Sequence, residues 1–131
     1  MKQLITLSFL TLTLAFTGCK KGEGIGGKAT IKGKLHALQY NNSNVFQAEY
    51  DAQAEDVYIV YGDAAFYGDK IETHYDGTFE FPYLKTGTYT IYIYEQDTLG
   101  TSESGTVVKQ KTVTINDKKE IVDLGAINFV K

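Results

Sequence analysis

The sequence predicts an all-β fold, a seven-stranded antiparallel sandwich, on three observations. Short segments rich in Val, Ile, Thr, Tyr and Phe recur along the chain with turn signals between them. Within the clearest of them Tyr89, Ile91 and Ile93 alternate with Thr90, Tyr92 and Tyr94, the period of a strand. No long segment repeats its apolar residues at helical spacing, and many short strands with frequent turns describe a sandwich.

The chain opens with Lys2 and an apolar stretch from Leu4 to Phe16, followed by Thr17, Gly18 and Cys19, its single cysteine. A spanning helix needs about 20 apolar residues, so this stretch reads instead as a processed leader covering residues 1–18. A cysteine directly after a small residue at the end of such a leader is the pattern of a bacterial lipoprotein, with Cys19 acylated and the mature chain anchored through its lipid. The expected location is the cell envelope, at the outer membrane of a Gram-negative bacterium, with the membrane as partner through that anchor. Phe16 departs from the leucine commonest three positions before such a cysteine. Residues 19–28 follow as lipidated cysteine and tether; four glycines between Lys20 and Lys28 predict a flexible coil reaching about 15–18 Å.

From Ala29 to Lys131 the chain is expected to form one domain. Its strands are predicted over Ala29–Leu35, Glu55–Tyr61, Lys70–Tyr75, Thr78–Phe81, Thr88–Glu95, Thr106–Ile115 and Glu120–Val130. Asp76-Gly77 reads as a two-residue hairpin turn, because Asp-Gly accepts the positive φ of a type I′ turn, and Asn116-Asp117 reads similarly. The segment His36–Ala54 is left as a long loop carrying Tyr40, Asn41, Asn42, Asn44, Phe46 and Tyr50, the kind of loop where binding residues lie.

Charge narrows the function. Removing residues 1–18 takes away Lys2 and no acid, so the formal net charge passes from −3 to −4. All 13 basic residues are lysine, and without arginine's planar fork dedicated phosphate recognition loses its usual instrument. A mildly acidic domain has no electrostatic reason to seek nucleic acid. With its one cysteine lipidated, the domain has no disulfide and depends on its core.

The run Asp76-Gly77-Thr78-Phe79-Glu80-Phe81-Pro82-Tyr83-Leu84-Lys85-Thr86-Gly87-Thr88-Tyr89-Thr90-Ile91 resembles the signature of carboxypeptidase regulatory-like domains, transthyretin-like sandwiches that include the Cna protein B-type repeats. The pattern is DG-x-F-x-F followed by L-x-x-G-x-Y. More loosely, Ala29–Leu35 resembles the opening strand of that family, and Lys111–Ile115 with Val122–Gly125 resembles its closing pair; the mature chain also resembles small Bacteroidetes-type lipoproteins. The resemblance implies a Greek-key, prealbumin- or immunoglobulin-like arrangement. It specifies function poorly, since such domains serve as spacers, adhesin stalks, sugar-binding modules and transporter appendages.

Two chemistries of that family do not carry over. Adhesin relatives join a first-strand lysine to a last-strand asparagine with an acid four residues after the tyrosine; here Lys32 or Lys34 and Asn128 are present, but that position is Ile93. A ring-hydrolysing branch uses histidine, arginine and a C-terminal serine motif; this chain has no arginine and ends Asn128-Phe129-Val130-Lys131. His36 and His74 show no zinc-ligand spacing, and neither a nucleophile elbow nor a phosphate-cradling glycine loop occurs. No enzyme and no cofactor are expected.

Two features stand out from that background. The loop Gly62–Asp69 with Asp63 and Asp69, followed by Glu72 and Asp76, either gathers oxygen ligands for calcium or is a set of solvated turn aspartates. Ten tyrosines and no tryptophan are the other. Alternation sets Tyr58 opposite Val57, Ile59 and Tyr61, and Tyr92 and Tyr94 opposite Ile91 and Ile93, so an outward aromatic patch forms if the two strands are neighbours. Tyr40, Tyr50, Tyr58, Tyr92 and Tyr94 are the candidate binding surface, for an envelope protein or a glycan; packing across strands explains the same pattern. The expected role is a non-enzymatic interaction or accessory module, with a carbohydrate-binding module and a structural spacer as alternatives.

Overall fold

The computed structural model describes residues 22–131; the leader 1–18, Cys19 and Lys20-Lys21 lie outside them. Eight strands run in order: β1 Ile25–Tyr40, β2 Phe46–Asp51, β3 Asp56–Tyr61, β4 Asp69–Glu72, β5 Thr78–Leu84, β6 Gly87–Gln96, β7 Thr106–Ile115 and β8 Ile121–Val130. No helix is present among the described residues, and hence none long and apolar enough to cross a membrane.

The strands form two sheets. One follows the order β4-β3-β6-β7; in the other, β1 pairs with β2, β5 and β8. Both sheets contribute inward residues to one core, including Ile31 and Leu35 from β1, Val57 and Ile59 from β3, Phe79 and Phe81 from β5, and Ile91 and Ile93 from β6. That shared core makes the molecule a β-sandwich.

The 16-residue β1 is the spine of its sheet. β5 pairs with its first half, between Ile25 and Lys34, and β2 with its last five residues, while β8 lies along the other edge from Thr30 to Leu38. Leu35 marks the exchange of partners: its N–H donates to the Gly77 carbonyl and its own carbonyl accepts from Ala52 N–H. Thr73, a buried polar residue, braces the chain nearby by donating its hydroxyl to the Ala52 carbonyl and accepting from Glu55 N–H.

Several expectations need correction. There are eight strands rather than seven, because Phe46–Asp51 of the expected loop is strand β2 and β1 continues to Tyr40. The sheets are not wholly antiparallel, since β8 runs parallel to β1. β4 ends at Glu72, and Asp76-Gly77 is not a two-residue hairpin loop joining paired strands, since β4 and β5 belong to different sheets. It forms the end of a turn closed by Gly77 N–H on the His74 carbonyl, with Gly77 at φ 78°, and carries the chain from one sheet to the other. Positive φ at the glycine was legible; the destination of the turn was not.

Order also begins inside the segment read as tether. Ile25–Lys28 is already strand, and Gly27 passes so close to the Leu84 carbonyl that a Cβ there would overlap the backbone. Tyr89, fully buried, receives a hydrogen bond from Gly24 N–H at 2.9 Å and donates one to the Lys85 carbonyl at 2.8 Å. The hydroxyl reaching back to the backbone four residues upstream has the logic of a tyrosine corner. Hydrogen bonding to its own backbone N–H, and then to Thr88 N–H, holds the Glu23 carboxyl below the ordinary glutamate value. Tyr89→Phe should therefore cost about 1–3 kcal/mol, because Gly24 N–H and the Lys85 carbonyl lose a partner in a buried place. Denaturant unfolding checks this, and an unchanged midpoint would show that the amino-terminal segment docks without Tyr89.

Candidate functional site

The outer face of the β4-β3-β6-β7 sheet gathers the aromatic residues. β6 sends Tyr89, Ile91 and Ile93 into the core and leaves Thr90, Tyr92 and Tyr94 outside; β3 buries Val57 and Ile59 and turns Tyr58 outward. The two strands pair antiparallel with Tyr58 directly opposite Tyr92. Their rings stack with centroids 4.8 Å apart and planes 7° from parallel. Tyr94 meets both edge-on, at 5.6 Å and 84° to Tyr58 and at 5.8 Å and 90° to Tyr92. Tyr67, from the β3–β4 loop, packs edge-on against Tyr58 at 5.0 Å.

These four tyrosines do not contribute equally to the open surface. Tyr58 and Tyr92 spend their ring faces on each other, and desolvation raises both phenols above the ordinary tyrosine value, with the Asp56 charge adding to Tyr58 and the neighbouring Tyr94 and Tyr58 adding to Tyr92. Both therefore keep their O–H at neutral pH. Tyr94 and Tyr67 remain 50% exposed and Phe66, on the same loop, 81%. With Val108 and Gln110 of β7 they border a shallow groove of about 460 Å³ whose floor includes Tyr92. Lys70 and Asp56, paired at 3.1 Å, place charge beside Tyr58, whose hydroxyl leans toward the same carboxylate at 3.4 Å.

An aromatic floor with hydroxyl tips and an amide on its rim suits a ligand that presents a flat apolar face edged with hydrogen-bonding groups. Cross-strand packing and exposed aromatic area are both present here. The stacked pair stabilises the sheet, and Tyr94, Tyr67 and Phe66 keep half or more of their surface exposed.

Of the candidate residues, Tyr58, Tyr92 and Tyr94 come together on this face. Tyr50 does not: it belongs to β2 at the edge of the other sheet. Tyr40, at the end of β1, packs edge-on against Phe46 at 5.8 Å and shares a cleft of about 390 Å³ with Tyr94 where the two sheets end. Tyr61 turns inward, as its alternation requires, and meets Tyr89 edge-on. Phe66, Tyr67, Val108 and Gln110 were not singled out. The first two sit in a loop read for its aspartates, and β7's pairing with β6 has no local signature.

Those aspartates do not converge. Asp69 accepts from Lys70 N–H, and Asp76 accepts from the Thr78 hydroxyl at 2.6 Å and from Thr78 N–H, which hold its carboxyl below the usual range. Among the described residues no three His, Cys, Asp or Glu side chains form a group able to hold a metal, Asp63, Asp69 and Asp76 included. The lysines and asparagine considered for a covalent staple are also apart in role: Lys34 pairs with Asp51 at 2.8 Å, Lys32 faces Asp123, and Asn128 stands beside His36 in the β1–β8 ladder. His36 contacts Asp51 at 3.2 Å on the outer face of β1, and His74 is exposed beside the turn.

No protein-family model matches the sequence, and no curated protein matches it. Among solved structures the chain is similar to a Pseudomonas aeruginosa protein provisionally assigned as a carbohydrate binding protein, at 16% identity and a TM-score of 0.45, over 82% of this chain and 91% of that one. A likeness of that size leaves fold and ligand to be argued from this chain's own residues.

Proposed function

We propose that this is a lipid-anchored lipoprotein of the cell envelope, at the outer membrane of a Gram-negative bacterium, whose β-sandwich is a non-enzymatic interaction module. We further infer kinship with carboxypeptidase regulatory-like, transthyretin-like Greek-key domains. The support for that kinship is the position of the motif: its glycine and tyrosine, Gly87 and Tyr89, begin β6, and the tyrosine ties the sheet corner to the incoming chain.

One observation carries the interaction reading, the assembly of Tyr94, Tyr67 and Phe66 as exposed rings around a groove on the outer sheet face. Aromatic anchors supply a large share of interface energy, and a structural spacer gains nothing from a Phe66 left 81% exposed. A glycan is the second reading, favoured by tyrosine rings beside the Gln110 amide and opposed by the absence of tryptophan.

Residues of the two roles can be separated by mutation. Phe66→Ser with Tyr94→Ser should weaken capture of an envelope protein or a glycan by about tenfold or more, with a stability loss of about 1 kcal/mol from the two edge-on contacts of Tyr94. Tyr92→Ser should instead lower stability by about 1 kcal/mol, since it removes the stacked partner of Tyr58. Glycan arrays and pull-downs from envelope extract, beside melting curves, provide the readout. Undiminished binding by the Phe66/Tyr94 double variant would exclude this face and leave the spacer reading.

A further inference from the structure

The described lysines divide into two sets. Lys32, Lys34, Lys70, Lys109 and Lys131 each pair with a carboxylate, and Lys111 donates to the Leu124 carbonyl. Lys28, Lys85, Lys118 and Lys119 have no carboxylate partner among the described residues, and all four line a single cavity of about 340 Å³ together with Gly26, Gly27 and Leu84. The unpaired cations of an acidic chain are thus collected at one end of the sandwich.

Acids near that end offset part of this charge without pairing with it. Glu120 accepts from the backbone N–H groups of Asn116 and Asp117, Asp117 accepts from Lys119 N–H, and Glu23 accepts from Thr88 N–H. Each of these three carboxylates keeps its charge but is bonded to backbone, so none of them forms an ion pair with the four ammonium groups. Lys28, Lys118 and Lys119 are exposed and Lys85 is half-buried.

This is also the end at which the chain enters. Lys85 N–H donates to the Gly24 carbonyl, and Glu23 and Gly24 are held against the β5–β6 turn. Only three residues separate Glu23 from Cys19, and a chain of that length spans at most about 14 Å when extended. Two of the three are Lys20 and Lys21. Ile25 and Tyr83, chain neighbours of the cavity residues Gly26 and Leu84, are 53% and 67% exposed and add apolar area of the kind favoured at a membrane–water boundary.

We propose that the lysine-lined end, Lys28, Lys85, Lys118 and Lys119, docks on the anionic phosphate headgroups of the membrane that holds the lipid anchor, so that the domain stands in one orientation with its aromatic face free. This rests on the lipid-anchor reading. Each lysine near an anionic surface adds an electrostatic attraction that salt screens over about a Debye length, and a short tether keeps this end of the domain close to the surface. The anchor supplies attachment and the lysines supply orientation.

The test uses the lipidated, purified protein reconstituted on phosphatidylcholine vesicles and on phosphatidylglycerol-rich vesicles. Exposed lysines are acetylated with a membrane-impermeant reagent, and the rate at each is read by mass spectrometry. On phosphatidylglycerol the four lysines should react roughly fivefold or more slowly than on phosphatidylcholine, the protection should vanish at high salt, and Lys34 and Lys70 should react alike on both surfaces. Replacing the four by glutamine should remove salt-sensitive orientation, read as loss of the protection at Ile25-flanking backbone amides in hydrogen exchange. Sedimentation with phosphatidylcholine vesicles reports the anchor separately. Protein that sediments there but shows no selective lysine protection on phosphatidylglycerol overturns the docking face and leaves the anchor standing. Protection on phosphatidylglycerol without sedimentation on phosphatidylcholine supports the face and removes the anchor, and sedimentation with neither surface overturns both.

Discussion

Gly77→Val, at a buried turn, is expected to lower stability by about 3 kcal/mol or more and the melting temperature by roughly 10–20 °C. Two costs coincide there. Gly77 sits at φ 78°, a conformation that a β-branched residue adopts only under strain. Its missing Cβ is also structural: an added carbon would stand 2.5 Å from the Leu35 carbonyl oxygen and 3.1 Å from Ala52 N. Those are the two atoms through which β1 hands over from β5 to β2, so the clash falls on the junction of three strands. Gly77→Asn separates the costs, because asparagine tolerates positive φ but still carries a Cβ. It should recover part of the loss. Full recovery by asparagine would mean that the close approach to Leu35 is unimportant, and an unchanged melting curve for valine would contradict the junction altogether.

Cys19→Ala is expected to abolish lipidation while leaving the sandwich folded, since the core is built from residues between Ala29 and Phe129. Each buried methylene contributes about 0.8 kcal/mol, so two or three acyl chains hold a small domain essentially permanently and their loss should be nearly complete. Fractionation of cells after a high-salt wash, with palmitate labelling of the chain, measures both events. A labelled Cys19→Ala chain, or wild-type protein that carries no label, would remove the lipoprotein reading. The uncleaved leader of the variant is distinguished by its mass.

Two strands are read correctly because each has one buried face, whereas β7 is read from its Val, Thr and Ile content although only Ile115 is buried. β6 declares itself because Tyr89, Ile91 and Ile93 are buried and their neighbours are not, and β3 does the same with Val57 and Ile59. β2 has no such face. Its residues Phe46, Gln47, Ala48, Glu49, Tyr50 and Asp51 are exposed or half-buried throughout, so hydrophobic alternation, which is a burial signal, is silent there. It is an edge strand defined by backbone pairing to the end of β1. Gly22 to Gly27 misleads for a related reason. Glycine spacing suggests flexibility, while Gly27 is needed because the backbone of Leu84 lies where a side chain would be. Nothing within the segment distinguishes freedom from close approach.

For the aromatic face, alternation was enough to turn Tyr58, Tyr92 and Tyr94 outward, but their meeting depends on β3 pairing with β6 across a gap of about thirty residues. That pairing also decides that Tyr58 and Tyr92 stack while Tyr94 stays open, and it brings Val108 and Gln110 to the groove through β7.

Local order was thus determined by the sequence itself: strand periodicity, positive φ at Gly77, and the absence of helical patterning all follow from steric and burial preferences within a few residues. The parallel pairing of β8 with β1, the docking of Glu23 and Gly24 on the Tyr89 corner, and the segregation of four unpaired lysines at the end where the chain enters were decided only by the tertiary structure. Each depends on groups far apart in the chain meeting in space, and backbone hydrogen bonding, close approach and charge leave no periodic trace in the residues that supply them.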